Sequence, residues 1–486
     1  MPQKIFFILL FLLFLTIRKS FAIVPQEVDS LKNVLQQTTN DTTLITTYGL
    51  IGDAFYYNNQ PDSAIYYWEE GKNIATQSLQ KEHSELYYFV VQEKLSVLYN
   101  DLAYLYANKG KFDLATSYFR ECLYLKQKNK DVKGEVSTYN NLGYLYIKKD
   151  KIDSAIYFNK LAVKIAKANH LEEELATSSV QLGHLYGKIG AISLALKHLK
   201  NSEAYYQKTN NTLSLARTYN NIAKIYESID KNDVALEYFF KSLQLKIKEN
   251  DKYGTAIAYN NIGACYQKQN ELELAVKYNT KALQLFKEVK NKHGEATTLN
   301  NIGYLFLDNH IPDSALVYLQ QSLAIRKEIN DLSGIIATSI NLSKVFYMNK
   351  AYNDAVELLE NIYPLALEVN NIQYITDCNY QLYKNYKAIG NLKKALHHFE
   401  EHKQYESILF SESNMKEASL LHAEIDAKQE MYNDSIAMVL QLKNNKDHWA
   451  KELKSTAYII PKSSVLYLVI VVLLLGFIFY FFRKRK

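Results

Sequence analysis

Apolar and small residues return at a constant spacing of 40 residues along most of the chain. The stretch from Tyr139 to Tyr157 shows the unit: a leucine, a small residue, an aromatic residue three positions later, a turn, and then an alanine. The small position is held by Ala103, Gly143, Gly183, Ala223, Gly263, Gly303 and Ser343, and in the last unit by Tyr383. The alanine, twelve residues further on, is Ala115, Ala155, Ala195, Ala235, Ala275, Ala315, Ala355 and Ala395. A period without insertions predicts structural units that stack on one another.

Each unit is predicted to be a hairpin of two helices. The leucine, the small residue and the aromatic residue place an apolar stripe with a gap on the first helix, and the alanine lets the second helix approach that gap. Most units have Gly, Asp or Asn seven residues after the small position, and these types tolerate the left-handed conformation that ends a helix. Two residues before the alanine, most units carry a capping type that is expected to be the N-cap of the second helix, as at Asp113, Asp153 and Asp233.

The segment Leu142-Gly143 followed by Tyr146 and, at a fixed distance, by Ala155 resembles the tetratricopeptide repeat, in a form of 40 residues rather than the commoner 34. The resemblance implies an all-α fold, a right-handed α-solenoid of helical hairpins. It says less about function, because such repeats bind many unrelated partners.

The remaining segments complete the predicted organisation. The predicted domains are a signal peptide at 1–22, an N-terminal capping helix at 23–38, nine repeats at 39–403, a helical stalk with coiled-coil character at 404–460, a transmembrane helix at 465–482 and a basic cytoplasmic tail at 483–486.

Both ends of the chain carry membrane-targeting patterns. The first 22 residues combine Lys4, an apolar run and a small-x-small cleavage site at Ala22. Val465 to Phe482 is 18 residues without a charge, and four cations follow it directly. Because positive flanks stay in the cytoplasm, the sequence predicts a single-pass protein of the cell inner membrane with periplasmic, or otherwise extracytoplasmic, repeats.

Charge and cysteine usage narrow the class of partner. The formal net charge is +6, and the two membrane-targeting segments contribute more than this, which leaves about −1 on the rest. Nucleic-acid binding would need a basic folded part, so it is not expected. The 3 cysteines lie in separate repeats without a C-x-x-C pair, which argues against disulfides and metal sites.

Amide side chains recur two residues before the small position. The resemblance implies that the first helices line a concave groove and that these amides grip the main chain of an extended peptide. The predicted groove residues of this column are Asn141, Gln181, Asn221, Asn261, Asn301, Asn341 and Gln381. Tyr144 and Tyr304 are added from the variable column that follows the small position. The alternatives are that the asparagines bridge adjacent repeats or that they reflect drift within the family, and the sequence leaves these interpretations open.

Catalytic patterns are missing from the sequence. His398 and His402 have a spacing compatible with a metal, but His398 falls in a column of aromatic core residues. No phosphate-binding loop, nucleophile elbow or dinucleotide fingerprint is present. We expect neither an enzyme nor a bound cofactor or metal.

The architecture resembles bacterial membrane-anchored sensors with tetratricopeptide ectodomains, whose output is a histidine kinase or a helix-turn-helix domain. The sequence therefore favours an adaptor or sensor that binds peptides or proteins in its groove. One alternative is the ectodomain of a truncated or split sensor kinase or transcription regulator that acts through a separate cytoplasmic output. Another is an envelope assembly scaffold without signalling. Nothing in the sequence specifies an oligomeric state.

Overall fold

A computed structural model describes residues 25–429 except 59, 412, 414–416, 418 and 427. The chain divides into two compact units, Met1–Leu420 and Leu421–Lys486. Residues 421–426 and 428–429 of the second unit are described, and they are helical. The predicted signal peptide, the stalk beyond residue 429, the predicted transmembrane segment and the basic tail lie outside the described residues.

The described residues form an all-α helical-repeat solenoid without strands, which confirms the predicted fold class at this level. The right-handed sense of the solenoid and the helical stalk stay predictions. An N-terminal helix, α1, spans Pro25–Gln37 and packs Val28 against Ile51 and Ala54 of the next helix. The first helices of the hairpins are α2 (Asp41–Tyr57), α4 (Glu85–Asn108), α6 (Val132–Lys148), α8 (Glu172–Lys188), α10 (Thr212–Ser228), α12 (Lys252–Lys268), α14 (Lys292–Asp308), α16 (Leu332–Met348) and α18 (Ile372–Ile389). The second helices are α3 (Pro61–Ser78), α5 (Phe112–Lys128), α7 (Ile152–Ala168), α9 (Ile192–Lys208), α11 (Asn232–Lys248), α13 (Leu272–Glu288), α15 (Pro312–Glu328), α17 (Tyr352–Val369) and α19 (392–411).

The alanine column is where the two helices of a hairpin come closest. Ala315 is fully buried, and a Cβ placed on Gly303 opposite it would lie 2.6 Å from Leu319 Cγ and 3.3 Å from the Ala315 carbonyl oxygen. A larger residue at either column would separate the helices, which explains why both columns hold small residues.

Left-handed residues end the helices, as predicted for the turn inside each hairpin. Gly110 and Gly190 have φ of 73° and 84°, and even His310 and Lys350 adopt φ of 58° and 61°. A second left-handed column, which the sequence analysis did not identify, lies in the turn between repeats. Its members are Lys130, His170, Asn210, Asn250, Lys290, Asn330 and Asn370.

The predicted N-caps of the second helices are wrong by two residues. The N-cap positions of α5 and α7 are Lys111 and Lys151, which make no side-chain cap hydrogen bond. Asp113 and Asp153 lie instead in the first helical turn, where a carboxylate favours the helix dipole without capping it. Side-chain caps of the first helices are residues that each accept a hydrogen bond from the third backbone N–H of the helix: Asp131, Asn211, Asp251, Asn291, Asp331 and Asn371. Among the second helices α19 has a cap of this kind, because Asn391 Oδ1 accepts from the Lys394 N–H at 3.2 Å.

Two of these caps also take part in ion pairs that join consecutive helices. Lys126 Nζ of α5 lies 2.7 Å from Asp131 Oδ2, and the Gly134 N–H donates to Asp131 Oδ1 at 2.8 Å. The third position of the helix is glycine because a Cβ on Gly134 would lie 2.3 Å from Asp131 Oδ2. The pairing therefore connects one repeat to the next through a charged cap.

The pairing at Asp131 predicts a loss of stability in acid. Burial raises the pKa of Asp131, but hydrogen bonds from Lys126 and the Gly134 N–H outweigh burial and bring this pKa below its ordinary value. A carboxyl whose pKa is lower in the folded state stabilises the fold above its unfolded pKa, and this contribution is lost as pH falls through the folded pKa. Asp131→Asn, which keeps the cap, should lower the melting temperature at pH 7. The difference from the unmodified chain should shrink below about pH 4, and thermal unfolding followed by circular dichroism measures it. A difference that grows in acid would contradict this assignment.

The predicted inner-membrane localisation is corrected by the structure. None of the helices in the described ranges combines the length and the apolar character that crossing a bilayer requires. The segment on which the prediction of a span was based, Val465 to Phe482, is not among the described residues.

Candidate functional site: the inner wall

The first helices of successive repeats contact one another, as α4 does α6 and α6 does α8. Successive second helices make at most sparse contacts of this kind in the described part of the chain. The first helices therefore converge on one side of the solenoid. We use the name inner wall for the side chains of two columns of residues on these helices. The amide column is Asp101, Asn141, Gln181, Asn221, Asn261, Asn301, Asn341 and Gln381. The variable column is Tyr104, Tyr144, His184, Lys224, Ala264, Tyr304, Lys344 and Lys384.

Three members of the amide column bond to the preceding repeat. Asn141 Nδ2 donates to Asn100 Oδ1 at 2.6 Å, and Asn261 Nδ2 donates to Asn220 Oδ1 at 2.7 Å. Asn341 Nδ2 donates to Asn300 Oδ1 at 3.3 Å. These three predicted groove residues are half-buried, and one donor of each holds two repeats together.

The neighbouring asparagines bond in the other direction. Asn140 Nδ2 donates to Ser178 Oγ at 2.9 Å, and Asn260 Nδ2 donates to Thr298 Oγ1 at 2.8 Å, in both cases on the following first helix. The Asn-Asn pair thus bridges three consecutive repeats. The sequence signal for these partners is a Ser or Thr 38 residues after the first asparagine, which the sequence analysis did not use.

Three other members of the amide column do not bridge repeats. Gln181, Asn221 and Asn301 are half-buried and make no side-chain hydrogen bond to other described residues. Gln381 is 5% exposed, and its side-chain carbonyl oxygen has no partner among the described residues. The predicted column is therefore divided into bridging amides and amides with hydrogen-bonding capacity to spare. Their role in binding stays a prediction.

The N-terminal part of the variable column is aromatic. The rings of Tyr104 and Tyr144 stack with centroids 5.4 Å apart, and Tyr56 meets Tyr104 edge-on at 6.4 Å. The Tyr144 hydroxyl donates to Asn108 Oδ1 at 2.7 Å. Burial, followed by the neighbouring Tyr104, raises the pKa of Tyr144 to about 12, so this hydroxyl stays protonated. The other predicted aromatic residue, Tyr304, is 37% exposed.

The rest of the variable column combines three lysines, Lys224, Lys344 and Lys384, with His184, Ala264 and Tyr304. Burial lowers the pKa of His184, and Lys188 and Lys224 lower it further, so His184 is neutral near pH 7. Lys344 lies over the ring of Tyr304 at 5.8 Å, and Lys384 lies over the ring of Tyr347 at 4.3 Å. The variable column therefore begins with two tyrosines and carries lysines at three of its later positions.

His398, one of the two histidines with metal-compatible spacing, is packed in the core and hydrogen-bonded to a neighbouring side chain. His398 is buried, stacks on Tyr386 at 5.7 Å and shares a hydrogen bond of 2.8 Å between its Nδ1 and Asn379 Oδ1. Burial, followed by the neighbouring His397, lowers the pKa of His398 to about 4. Among the described residues no group of three or more His, Cys, Asp or Glu side chains could hold a metal ion.

Several solved structures resemble this chain. A signal-transduction ATPase with numerous domains and a tetratricopeptide repeat sensor from Pyrococcus horikoshii is 12% identical, with a TM-score of 0.51 over 82% of this chain and 68% of that chain. BtubC from P. vanneervenii is 22% identical, with a TM-score of 0.41 over 47% of this chain and 91% of that one. Aspartyl phosphate phosphatase F from Bacillus subtilis is 15% identical, with a TM-score of 0.48 over 76% of this chain and 94% of that one. At these identities the likeness concerns the fold.

Sequence comparisons agree with the repeat pattern. A search of curated proteins gave no match. The expected likeness to membrane-anchored sensors is not supported by any of these findings. One tetratricopeptide repeat family model matches residues 94–168 and 254–328, and a second matches residues 216–246. The hairpins within these matched residues are therefore tetratricopeptide repeats.

Proposed function

We propose that this chain is an adaptor that binds peptides or segments of proteins along its inner wall. The observation that carries the proposal is the set of half-buried amides at Gln181, Asn221 and Asn301, which lack side-chain hydrogen bonds within the described residues. A primary amide offers donors and an acceptor, so such side chains can pair with the main chain of an extended polypeptide of any sequence. The variable column beside them would then supply specificity.

The proposal is for binding rather than catalysis. Cys265 and Cys378 are buried, and burial raises the pKa of each thiol to about 12. A nucleophilic cysteine needs a depressed pKa and access to solvent, so neither thiol is suited to attack a substrate. The buried, neutral His398 is equally unsuited to serve as an exposed general base.

Selection from an unbiased displayed peptide library with the full chain tests the proposal. A photoreactive benzoylphenylalanine introduced at Asn301 should cross-link to the enriched peptides. The same group at Lys277, an exposed residue of α13, is the control and should not. Cross-links confined to the second helices, or no enrichment at all, would contradict binding at the inner wall.

The two classes of amide should respond differently to substitution. Asn221→Ala together with Asn301→Ala should weaken binding of an enriched peptide about tenfold, because each lost hydrogen bond contributes about 0.5–1.5 kcal/mol. Thermal stability should change little. Asn141→Ala together with Asn261→Ala should instead lower stability, because these side chains bond to Asn100 and Asn220. Titration calorimetry and thermal unfolding of both double variants measure these effects. Equal peptide affinity in the first double variant and the unmodified chain would remove the unpaired amides from the site.

A further inference from the structure

Helix α19 leaves exposed an apolar stripe at positions that are buried in several earlier hairpins. Leu396 is 58% exposed, whereas three residues at the same place in earlier repeats are at most 9% exposed: Ile156, Leu236 and Val356. Phe399 is 36% exposed, and among its fully buried equivalents are Phe119, Phe239 and Leu359. Leu392, at the start of the helix, is 69% exposed. We use the name end face for Leu392, Leu396 and Phe399.

The contacts of an earlier hairpin show which kind of surface covers this stripe. Leu236 of α11 is the equivalent of Leu396. It belongs to one core cluster with Ile262 and Cys265 of the following first helix, α12. Apolar side chains on a neighbouring helix therefore bury this position in an earlier repeat. Since Leu396 is exposed, the end face is open to a helix of the same kind.

A polar column beside the stripe also reaches the following hairpin. Glu69 Oε1 accepts a hydrogen bond at 2.9 Å from the Tyr118 hydroxyl of the next hairpin. Glu360 Oε1 lies 2.9 Å from Lys394 Nζ, again on the next hairpin. Glu400 holds the same place on α19, is exposed and makes no ion pair with a described residue. Its carboxylate is thus placed to meet a cation on a surface that packs against the end face.

The end face of a second copy is a surface of this kind. Lys393 lies about two helical turns from Glu400 along the same edge of the stripe, and it too makes no ion pair within the described part of the chain. When two copies of α19 run antiparallel about a two-fold axis close to Leu396, Lys393 of each copy comes level with Glu400 of the other. Leu392 and Phe399 then lie between the two ion pairs, where they are removed from water.

The opposite end of the solenoid is already covered. Helix α1 packs Val28 against Ile51 and Ala54 of α2 at that end. Two copies stacked head to tail would have to displace this helix, whereas the end faces of two copies are both exposed. A contact of one face with the same face of a second copy closes after two copies.

Flanking charges do not oppose such a contact. Lys394 of α19 is paired with Glu360 of the preceding hairpin. Lys403 Nζ lies 2.6 Å from Glu406 Oε2 on α19 itself. Each pair is neutral overall, so neither adds a net charge that would repel the same face of a second copy.

We propose that two copies of this chain associate through their end faces about a two-fold axis near Leu396, with Lys393 of each copy paired with Glu400 of the other. The second copy supplies the apolar helix and the cation that a following hairpin supplies to earlier repeats. This surface is separate from the inner wall, and the association does not depend on what the inner wall binds.

Sedimentation velocity of the full chain over a range of concentrations tests the dimer. The unmodified chain should sediment as a dimer that dissociates on dilution. Leu396→Lys should raise the dissociation constant of the dimer at least tenfold, because it places a charge between Leu392 and Phe399 in the contact. The control, Val317→Lys, introduces the same charge at a side chain of α15 that is 52% exposed, and it should have little effect.

Exchanging the two charges distinguishes a second copy from any other occupant. Lys393→Glu and Glu400→Lys each place like charges against each other twice in the dimer, and each should raise the dissociation constant about tenfold. The double variant restores both pairs with reversed signs and should return the constant to within about threefold of the unmodified value. Lys277→Glu, at an exposed position of α13, is the control for a single charge reversal and should have little effect.

Each outcome decides for or against the dimer. Circular dichroism establishes that each variant is folded, and the variants of the exposed Lys393 and Glu400 keep the test valid if Leu396→Lys is not. Recovery in the double variant supports the two-fold contact. A chain that is monomeric at every concentration would overturn it, and a lower melting temperature of Leu396→Lys than of Val317→Lys would then assign the cover to another segment of the same chain. A dimer that no end-face variant weakens, or a double variant weaker than either single one, would overturn it as well.

Discussion

Asp331→Ala is expected to lower the free energy of unfolding by about 3–5 kcal/mol, the cost of leaving one member of a buried ion pair without its partner. Arg326 Nη1 lies 2.6 Å from Asp331 Oδ2, and the side chains of these residues are 7% and 16% exposed. Asp331 also accepts the Gly334 N–H at 3.0 Å as the cap of α16. Alanine would remove the cap and leave the guanidinium buried and unpaired, so both losses act in the same direction.

Three further variants separate the charge from the cap. Arg326→Met should cost much less than Asp331→Ala, because an apolar side chain of similar length replaces the buried cation. Adding Arg326→Met to Asp331→Ala should recover much of the lost stability. Asp331→Asn keeps a capping oxygen and should lie between Asp331→Ala and the unmodified chain. Urea unfolding measures the series, and amide exchange in α15 and α16 locates the effect. If Arg326→Met were as damaging as Asp331→Ala, packing rather than charge would account for the cost.

Asn159→Leu is expected to raise the free energy of unfolding by about 1–3 kcal/mol, the usual penalty of a buried polar group without a partner. Asn159 is fully buried, and its side-chain carbonyl oxygen has no hydrogen-bond partner within the described residues. Its Nδ2 donates at 2.9 Å to the Ala155 carbonyl oxygen, four residues back on the same helix. Leucine would remove the unpartnered oxygen and add buried apolar surface.

Other repeats of the same chain show that leucine fits this position. Leu199 and Leu319 occupy the equivalent sites, fully buried opposite Gly183 and Gly303. Asn279→Leu, opposite Gly263, should therefore stabilise the chain by a similar amount, and the reciprocal Leu319→Asn should destabilise it. Differential scanning calorimetry of the three variants measures these changes. Lower stability of both leucine variants would mean that the two asparagines have a packing role that their contacts do not show.

The fold could be predicted because the same pattern of apolar and small residues recurs in each repeat, so the sequence shows the packing of the two helices many times. The columns of alanine and small residues predicted where the two helices of a hairpin approach most closely. The structure places Ala315 against Gly303 as expected. Caps were harder to place, because Asp is favoured both at the N-cap and in the first turn of a helix. The sequence therefore could not distinguish the first-turn position of Asp113 from the true cap at Asp131.

The candidate site was only partly accessible from the sequence. The amide column could be predicted from its periodicity, but the partners of the bridging asparagines lie 38 or 41 residues away on another helix. Asn141 and Asn301 each follow an asparagine and precede an aliphatic residue and a glycine, yet of the two only Asn141 bonds to an asparagine of the preceding repeat within the described residues. Nothing local distinguishes them, since the choice depends on which oxygen of the adjacent repeat comes within reach.

The sequence alone determined that this chain is built of stacked helical hairpins, because apolar and small residues at a fixed period leave a helix no other way to bury its stripe. Only the tertiary structure decided which polar side chains bridge repeats and which make no side-chain hydrogen bond within the described residues. The physical reason is the separation in sequence over which each interaction acts. Helix formation depends on residues within a few positions of one another, whereas hydrogen bonds and charge pairs depend on distances that only the packing of one repeat on the next establishes.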